Sequence, residues 1–326
     1  MSGDAVGGRP ASPRTVGPAE RLMDAAGSAP RLAAIGGALA IAFSGIFYRW
    51  SDTDPATAVV FRCLYGLPLL LLAARGEIHR VGPMDGRSIR LAILAGAFFA
   101  VDLVTFHYAV DNIGAGLGTV MGNIQVVIVA FAAWAIWGER PRREVLVALP
   151  VILFGVVLIS GILGTDAYGT NAPLGVAIGC VTAASYAGYL LVIRHASLDG
   201  RSAGPVAIAT AVTAIGAAII GTATGDLDLV PSWPAHGYLL ALGVLSQSVG
   251  YLVIQASLPR LPAVITSVLL LTQPVATVAL GAVLLGEAPS AVQLGGVAMV
   301  LVGIAVATGA ARCIGRRVVG GQAPGP

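Results

Sequence analysis

The sequence contains no lysine. All 19 of its basic residues are arginine, and charged residues of both signs make up only 11% of the 326 positions. A soluble domain carries about 25%. Cysteine is also sparse. Cys63, Cys180 and Cys313 are too few and too scattered for a disulfide framework or a paired-cysteine metal site. The charge is missing most conspicuously from seven long windows, 112–138, 145–165, 167–193, 202–225, 229–259, 261–286 and 288–311, none of which holds an Asp, Glu or Arg. Each is long enough to cross a bilayer core of about 30 Å as a helix of ~20 residues. These absences exclude a soluble globular protein. They also exclude an outer-membrane barrel, whose strands alternate polar and apolar residues over much shorter stretches. What is present is 56% apolar residues and a mean hydropathy of +0.86, which describes an all-α polytopic membrane protein.

Three further apolar spans, interrupted by Arg62 or by Asp102 and His107, complete the pattern. We place ten helices at 32–50, 56–74, 91–110, 113–137, 145–164, 172–193, 203–222, 236–257, 262–286 and 290–311. Residues 1–31 and 313–326 read as disordered tails, the first rich in Gly, Pro, Ala and Arg and without the apolar core of a signal peptide. Orientation follows from arginine placement. With both tails in the cytoplasm, every arginine except Arg49 and Arg62 falls on the inner side, while Asp52, Asp54, Asp111, Asp166, Asp226, Asp228 and Glu287 fall outside.

An internal repeat organises the chain. Gly138-Glu139-Arg140-Pro141 recurs as Gly286-Glu287-Ala288-Pro289, 148 positions later. Sliding 91–161 onto 239–309 at that offset matches 14 of 71 positions, among them Gln125 with Gln273 and Gly155 with Gly303. The offset spans five helices, an odd number, so the halves run in opposite senses. The expected architecture is ten transmembrane helices as two inverted five-helix repeats, 32–164 and 165–312. Such a repeat places a shared cavity at its pseudo-two-fold axis and suits alternating access. The Gly-Glu-x-Pro residues themselves read as helix punctuation. Gly ends one helix, Pro suits the first turn of the next, and Glu favours a helix N-terminus.

This pattern resembles the EamA-type members of the drug/metabolite transporter superfamily. Gly286-Glu287, Ser290, Gln293, Gly296 and Gly303 match the run that leads into the last helix of that family. Phe61-Arg62-Cys63-Leu64 resembles its arginine-bearing helix. The first repeat departs from the pattern with Arg142 and Arg143. The resemblance covers about 32–312 and implies export of small metabolites, often amino acids, across the bacterial inner membrane.

Polar groups inside a bilayer need partners or a watery cavity. Arg62 and Asp102 lie at similar depth on adjacent helices, roughly 12–14 Å from the outer ends at 1.5 Å per residue. An ion pair between them is expected, either fixing the packing or acting in transport. Gln247, Tyr251 and Gln255 form one polar stripe at i, i+4, i+8, which the repeat maps onto Phe99, Leu103 and His107. Thr182, Ser185, Tyr186 and Tyr189 form another, with a weaker counterpart in Ser44, Phe47 and Tyr48. Gln125 and Gln273 are symmetry mates, with Asn123 close by. From these the substrate-binding set is His107, Gln247, Tyr251, Gln255, Tyr186, Tyr189, Ser44, Tyr48, Phe99, Gln125 and Gln273. The small-residue face Gly114, Gly118, Gly122 reads as helix packing.

These groups offer neutral hydrogen bonds and ring faces, and Arg62 is the sole cation among them. That suits a zwitterionic or amphipathic small molecule better than a phosphate-bearing one, which would need several cations. An integral-membrane enzyme is the competing class, but it needs clustered carboxylates, metal ligands or a nucleophile set, and none is apparent. We expect no cofactor, no metal and no nucleic-acid partner. The expected partners are a small-molecule substrate, an amino acid in the first instance, the lipid bilayer, and protons if Asp102 or His107 carries them.

Overall fold

The computed structural model describes residues 28–138, 140–160, 162–163, 167–197, 201, 203–257, 261 and 269–308, without the side chains of residues 137 and 255–257. The terminal tails beyond 28 and 308, and Glu139, lie outside the described residues.

Among the described residues, everything regular is helical. α1 (Pro30–Ala42) and α2 (Ser44–Ser51) run on from one another across Phe43. α3 (Pro55–Val81) and α4 (Gly86–Gly122) follow, then α5 (Gln125–Trp137), α6 (Arg143–Ile159), α7 (Ala172–Ala196) and α8 (Ala203–Thr224). α9 (Trp233–Ala241) continues through a π-helical stretch, Leu242–Gly250, into α10 (Tyr251–Ser257); α11 (Thr272–Leu284) and α12 (Ala291–Ala307) close the described chain. Among the described residues, six helical stretches are long and apolar enough to cross a membrane: Pro30–Ser51, 55–81, 86–122, 172–196, 203–224 and Trp233–Ile254. Gln125–Ile136, Thr272–Leu284 and Ala291–Ala307 are shorter apolar helices. The chain is therefore a multi-pass, all-helical membrane protein.

Among the described residues each expected segment overlaps helix, with two differences. The expected helix 113–137 is two pieces. Residues 115–122 continue α4 past a break at Gly114, where φ is +86°, and α5 begins after a turn at 123–124. Gly114 is both a close approach, where a Cβ would stand 2.8 Å from the Glu287 carboxylate, and the residue whose positive φ breaks the helix. The expected helix 262–286 begins in residues outside the description and is seen from 269 onward.

The glycines of the Gly-Glu-x-Pro repeat end helices as expected, whereas Pro141 and Pro289 lie just before the first helical residues, Arg143 and Ala291, and not in the first turn. Gly138 and Gly286 both take positive φ, +73° and +67°, the left-handed conformation that ends a helix. Ser290 then caps α12. Its side chain accepts from the Gln293 N–H, and Gln293 reaches back to the Ser290 N–H at 3.0 Å. The same Gln293 amide ties α12 to its surroundings, accepting from Tyr168 N at 2.7 Å and donating to Ile159 O and Tyr168 O.

α6 and α12 pack backbone to backbone. A Cβ on Gly296 would lie 2.6 Å from the Gly155 carbonyl oxygen. Gly296→Val is expected to force the two helices apart at a cost of about 2 kcal/mol. Thermal unfolding in detergent reads this directly, and an unchanged midpoint would show that the helices have room to spare.

Candidate functional site

A cavity of about 310 Å³ lies among the helices, walled by Ser44, Arg62, Asp102, Phe106, Thr119, Asn123, Gln125, Thr182, Tyr186, Tyr189, Tyr251 and Gln273 together with leucine and isoleucine side chains. That is within the ~300–1,000 Å³ usual for small-molecule pockets. α1, α2, α3, α4, α5, α7, α10, α11 and α12 all contribute to its lining. Eight of the thirteen candidate site residues meet there: Ser44, Arg62, Asp102, Gln125, Tyr186, Tyr189, Tyr251 and Gln273.

The expected ion pair between Arg62 and Asp102 is not formed; among the described residues the ion pair present is Arg49–Asp111, 3.3 Å apart. Equal depth along two helices does not fix their rotation, and Arg62 is turned toward α2 and the π-helical stretch. Its Nε donates to Gln247 Oε1 at 2.8 Å and one terminal nitrogen donates to Ser44 Oγ at 3.0 Å. Gln247 is fully buried and its amide nitrogen donates to Thr210 Oγ1 at 3.2 Å. It therefore braces the arginine from behind the wall. The π-helix makes this possible. Its wider turn changes the direction of successive side chains, so Gln247 and Tyr251 are not the simple α-helical stripe their spacing suggests. π-helical turns recur at functional sites for this reason.

Asp102 is among the residues that line the cavity. Among the described residues its carboxylate makes no ion pair. Beside it is an aromatic wall. Phe99, one turn earlier on α4, stacks on Tyr189 with centroids 4.4 Å apart, Tyr189 stacks on Tyr186 at 5.9 Å, and Tyr251 meets Phe99 edge-on at 6.0 Å. Phe99 backs the wall and does not itself line the cavity.

His107 and Tyr48 are not at the cavity wall. His107 is completely buried and its ring stacks on Tyr48 at 4.1 Å. Neither ring nitrogen has a hydrogen bond of ordinary geometry, although the Pro55 carbonyl is nearby. Tyr48 donates its hydroxyl to Asp111 at 2.7 Å. The pseudo-symmetry argument that put His107 at the cavity fails because its partner stripe runs through the π-helix, which α4 does not copy. His107→Phe keeps the ring stack and removes two unpartnered polar atoms, so its melting temperature is expected to hold or rise slightly; a fall of several degrees would point to a hydrogen bond the ring makes in another conformation. The side chain of Gln255 lies outside the described residues.

Thr119 and Phe106 line the cavity without having been singled out. Each falls on the cavity side of a helix whose rotation is set by distant partners, and neither carries a local sequence signal.

At the end of the molecule that holds Asp111, Glu287 joins two parts of the chain far apart in sequence. Its carboxylate accepts from the backbone N–H groups of Ala115 and Gly116, at 2.5 and 3.0 Å. These are the first free donors after the Gly114 break, so Glu287 caps the N-terminus of a helix that is not its own. Burial raises the Glu287 carboxyl from its ordinary range, and the two backbone donors pull the other way. Arg49, Asp111, Tyr168 and Glu287 line a second pocket there of about 410 Å³. At the other end of α3, Glu77 does the same for α8, accepting from Ala203 N and Gly204 N at 2.8 and 3.0 Å. Neither partnership has a local sequence signature.

Helical spans enclosing a central cavity of mixed polar and apolar lining define a multi-pass membrane protein with an internal pocket. The EamA-like transporter family model matches the chain twice, over residues 30–161 and 173–309. The chain belongs to that family. It is 27% identical over 271 residues to an uncharacterized transporter, YwfM, of Bacillus subtilis, covering 80% of this chain and 86% of that protein. A solved crystal structure shares the fold with a TM-score of 0.58 at 16% identity, over 86% of this chain and 98% of the other.

Proposed function

We propose that the protein is a secondary transporter of the bacterial inner membrane that exports small metabolites, in the first instance neutral or aromatic amino acids, by alternating access. In this reading the ten helices form two inverted five-helix repeats with both termini in the cytoplasm. The two family matches, the 148-residue offset and the shared left-handed geometry of Gly138 and Gly286 support the repeat. The arginine distribution supports the orientation.

The observation that carries the cargo is the mixed wall of the central cavity. One cation, one anion, three tyrosines and two glutamines face a volume of about 310 Å³. A zwitterion with an apolar or aromatic body satisfies both charges and the rings together. A phosphorylated cargo would meet a single cation. Other small amphipathic metabolites or drugs satisfy the same wall less completely.

Counterflow in proteoliposomes tests this. Exchange of an amino acid without chemical change is expected in the wild type. Tyr251→Ala is expected to change the affinity for an aromatic amino acid about tenfold, since it removes one ring of the wall. His107→Phe is expected to leave exchange unaltered. Turnover of the solute in place of exchange, or wild-type exchange in Tyr251→Ala, would overturn the assignment.

A further inference from the structure

We infer that Asp102 is the group that reads the cargo, by taking a primary ammonium, and that the ammonium of the transported solute decides binding more than any carboxylate does. This rests on the central cavity being the transport site. The solute class is then wider than amino acids: it is primary amines with an apolar or aromatic body.

The two charges of the cavity are unequally committed. Arg62 already gives two of its N–H groups to Gln247 and Ser44, and Gln247 is itself held by Thr210. Asp102 is 5% exposed, its carboxylate makes no ion pair with any described residue, and its backbone carbonyl accepts from Thr105 Oγ1 at 3.1 Å. A carboxylate so far removed from water is costly unless a cation and donors meet it. Among the described residues that line the cavity, Arg62 is the one cation, and it makes no ion pair with Asp102. A cation in direct contact with the carboxylate can be supplied by the solute.

The surroundings of Asp102 fit an ammonium. An R–NH3+ group carries three donors and no acceptor. It can give one to the carboxylate and others to tyrosine hydroxyls. Asp102 lines the same cavity as Tyr186, Tyr189 and Tyr251. The rings of Tyr186 and Tyr189 stack on one another and Tyr251 meets Phe99 edge-on; aromatic faces of this kind attract a cation. A solute carboxylate without an amine has the opposite experience. It meets an arginine with part of its donor capacity spent and is repelled by Asp102.

The test uses four probes of similar shape: phenylalanine, phenethylamine, 2-phenylethanol and 3-phenylpropionate. Binding is measured by calorimetry on the full chain in lipid nanodiscs at neutral pH. Phenylalanine and phenethylamine are expected to bind within about tenfold of each other, and the alcohol and the acid at least about 30-fold more weakly, as loss of a buried charge-assisted contact implies. Asp102→Asn, checked for an unchanged melting profile, is expected to weaken phenethylamine by about the same 30-fold factor. Asp102→Glu, which keeps the charge one methylene further out, is expected to recover part of it. Binding of the alcohol or the acid within threefold of the amine would overturn the inference. So would an Asp102→Asn protein that binds phenethylamine as the wild type does, or a folded wild type that binds none of the four. Counterflow separates the two readings: exchange of a solute without an amine leaves the transporter standing and removes only the ammonium site, whereas no exchange of any solute fails the transporter reading itself.

Discussion

Glu287→Ala is expected to lower stability by about 3 kcal/mol and to loosen the end of the molecule that holds Asp111. Two backbone donors, Ala115 N and Gly116 N, lose their acceptor in that variant. Hydrogen bonds to a charged group are worth about 1.5–3 kcal/mol each, and buried donors left alone carry their full desolvation cost. The site leaves no obvious substitute. Glu287 is 5% exposed, and a Cβ at Gly114 would stand 2.8 Å from its carboxylate, so the backbone is shaped around this side chain. Glu287→Gln keeps one acceptor but turns an amide NH2 toward the other donor, and an intermediate loss is expected. Thermal unfolding in detergent gives the stability. Labelling of Thr170→Cys with a membrane-impermeant maleimide gives the loosening, because Thr170 lines the pocket beside Glu287. Faster labelling in Glu287→Ala than in the parent is the expected result. Unchanged unfolding and labelling would show that water replaces the carboxylate at no cost.

That contact also shows where sequence reading stops. The Gly-Glu-x-Pro recurrence pointed to helix ends, and Gly138, Gly286 and the Ser290–Gln293 cap bear that out, because these interactions are local. The glutamate was assigned to its own helix on the same logic. Its actual partner is 171–172 residues away, and no local signal encodes that. The helices were legible because arginine and acidic residues punctuate long apolar runs. The break at Gly114 was not, since a glycine in a glycine-rich run looks like packing until its φ is known. The π-helix at Leu242–Gly250 was equally hidden, and it accounts for the misplacement of Gln247 and His107. Eight of the thirteen candidate site residues line the central cavity. The partnership of Arg62 was beyond it, because depth is readable from spacing and rotation is not.

Arg62→Lys is expected to reduce transport at least about tenfold while leaving the protein folded. The guanidinium makes its two hydrogen bonds in different directions, from Nε to Gln247 on the π-helical stretch and from a terminal nitrogen to Ser44 on α2. It thus joins three helical elements at the edge of the cavity. An ammonium on a flexible stem is a point charge and cannot hold both acceptors in a fixed fork. It keeps the positive charge, so electrostatics alone predicts little change, and geometry predicts a large one. Arg62→Leu goes further and leaves Gln247 Oε1 without a donor in a fully buried position, a loss of about 1–3 kcal/mol. A double-mutant cycle separates bracing from cargo contact. If Arg62 works through Gln247, then Gln247→Leu and Arg62→Lys together should cost less than the sum of the single changes, with a coupling of about 1 kcal/mol. Additive losses in transport would mean that Arg62 touches the solute independently of its brace. Ser44→Ala extends the argument, since it removes the second acceptor while adding no charge and little volume. If the orientation of the guanidinium is what matters, Ser44→Ala should weaken transport in the same direction as Arg62→Lys and by a smaller factor. Rates measured by counterflow under identical lipid and salt conditions place the three variants on one scale, and a Ser44→Ala protein slower than Arg62→Lys would put the decisive contact at the hydroxyl and not at the arginine.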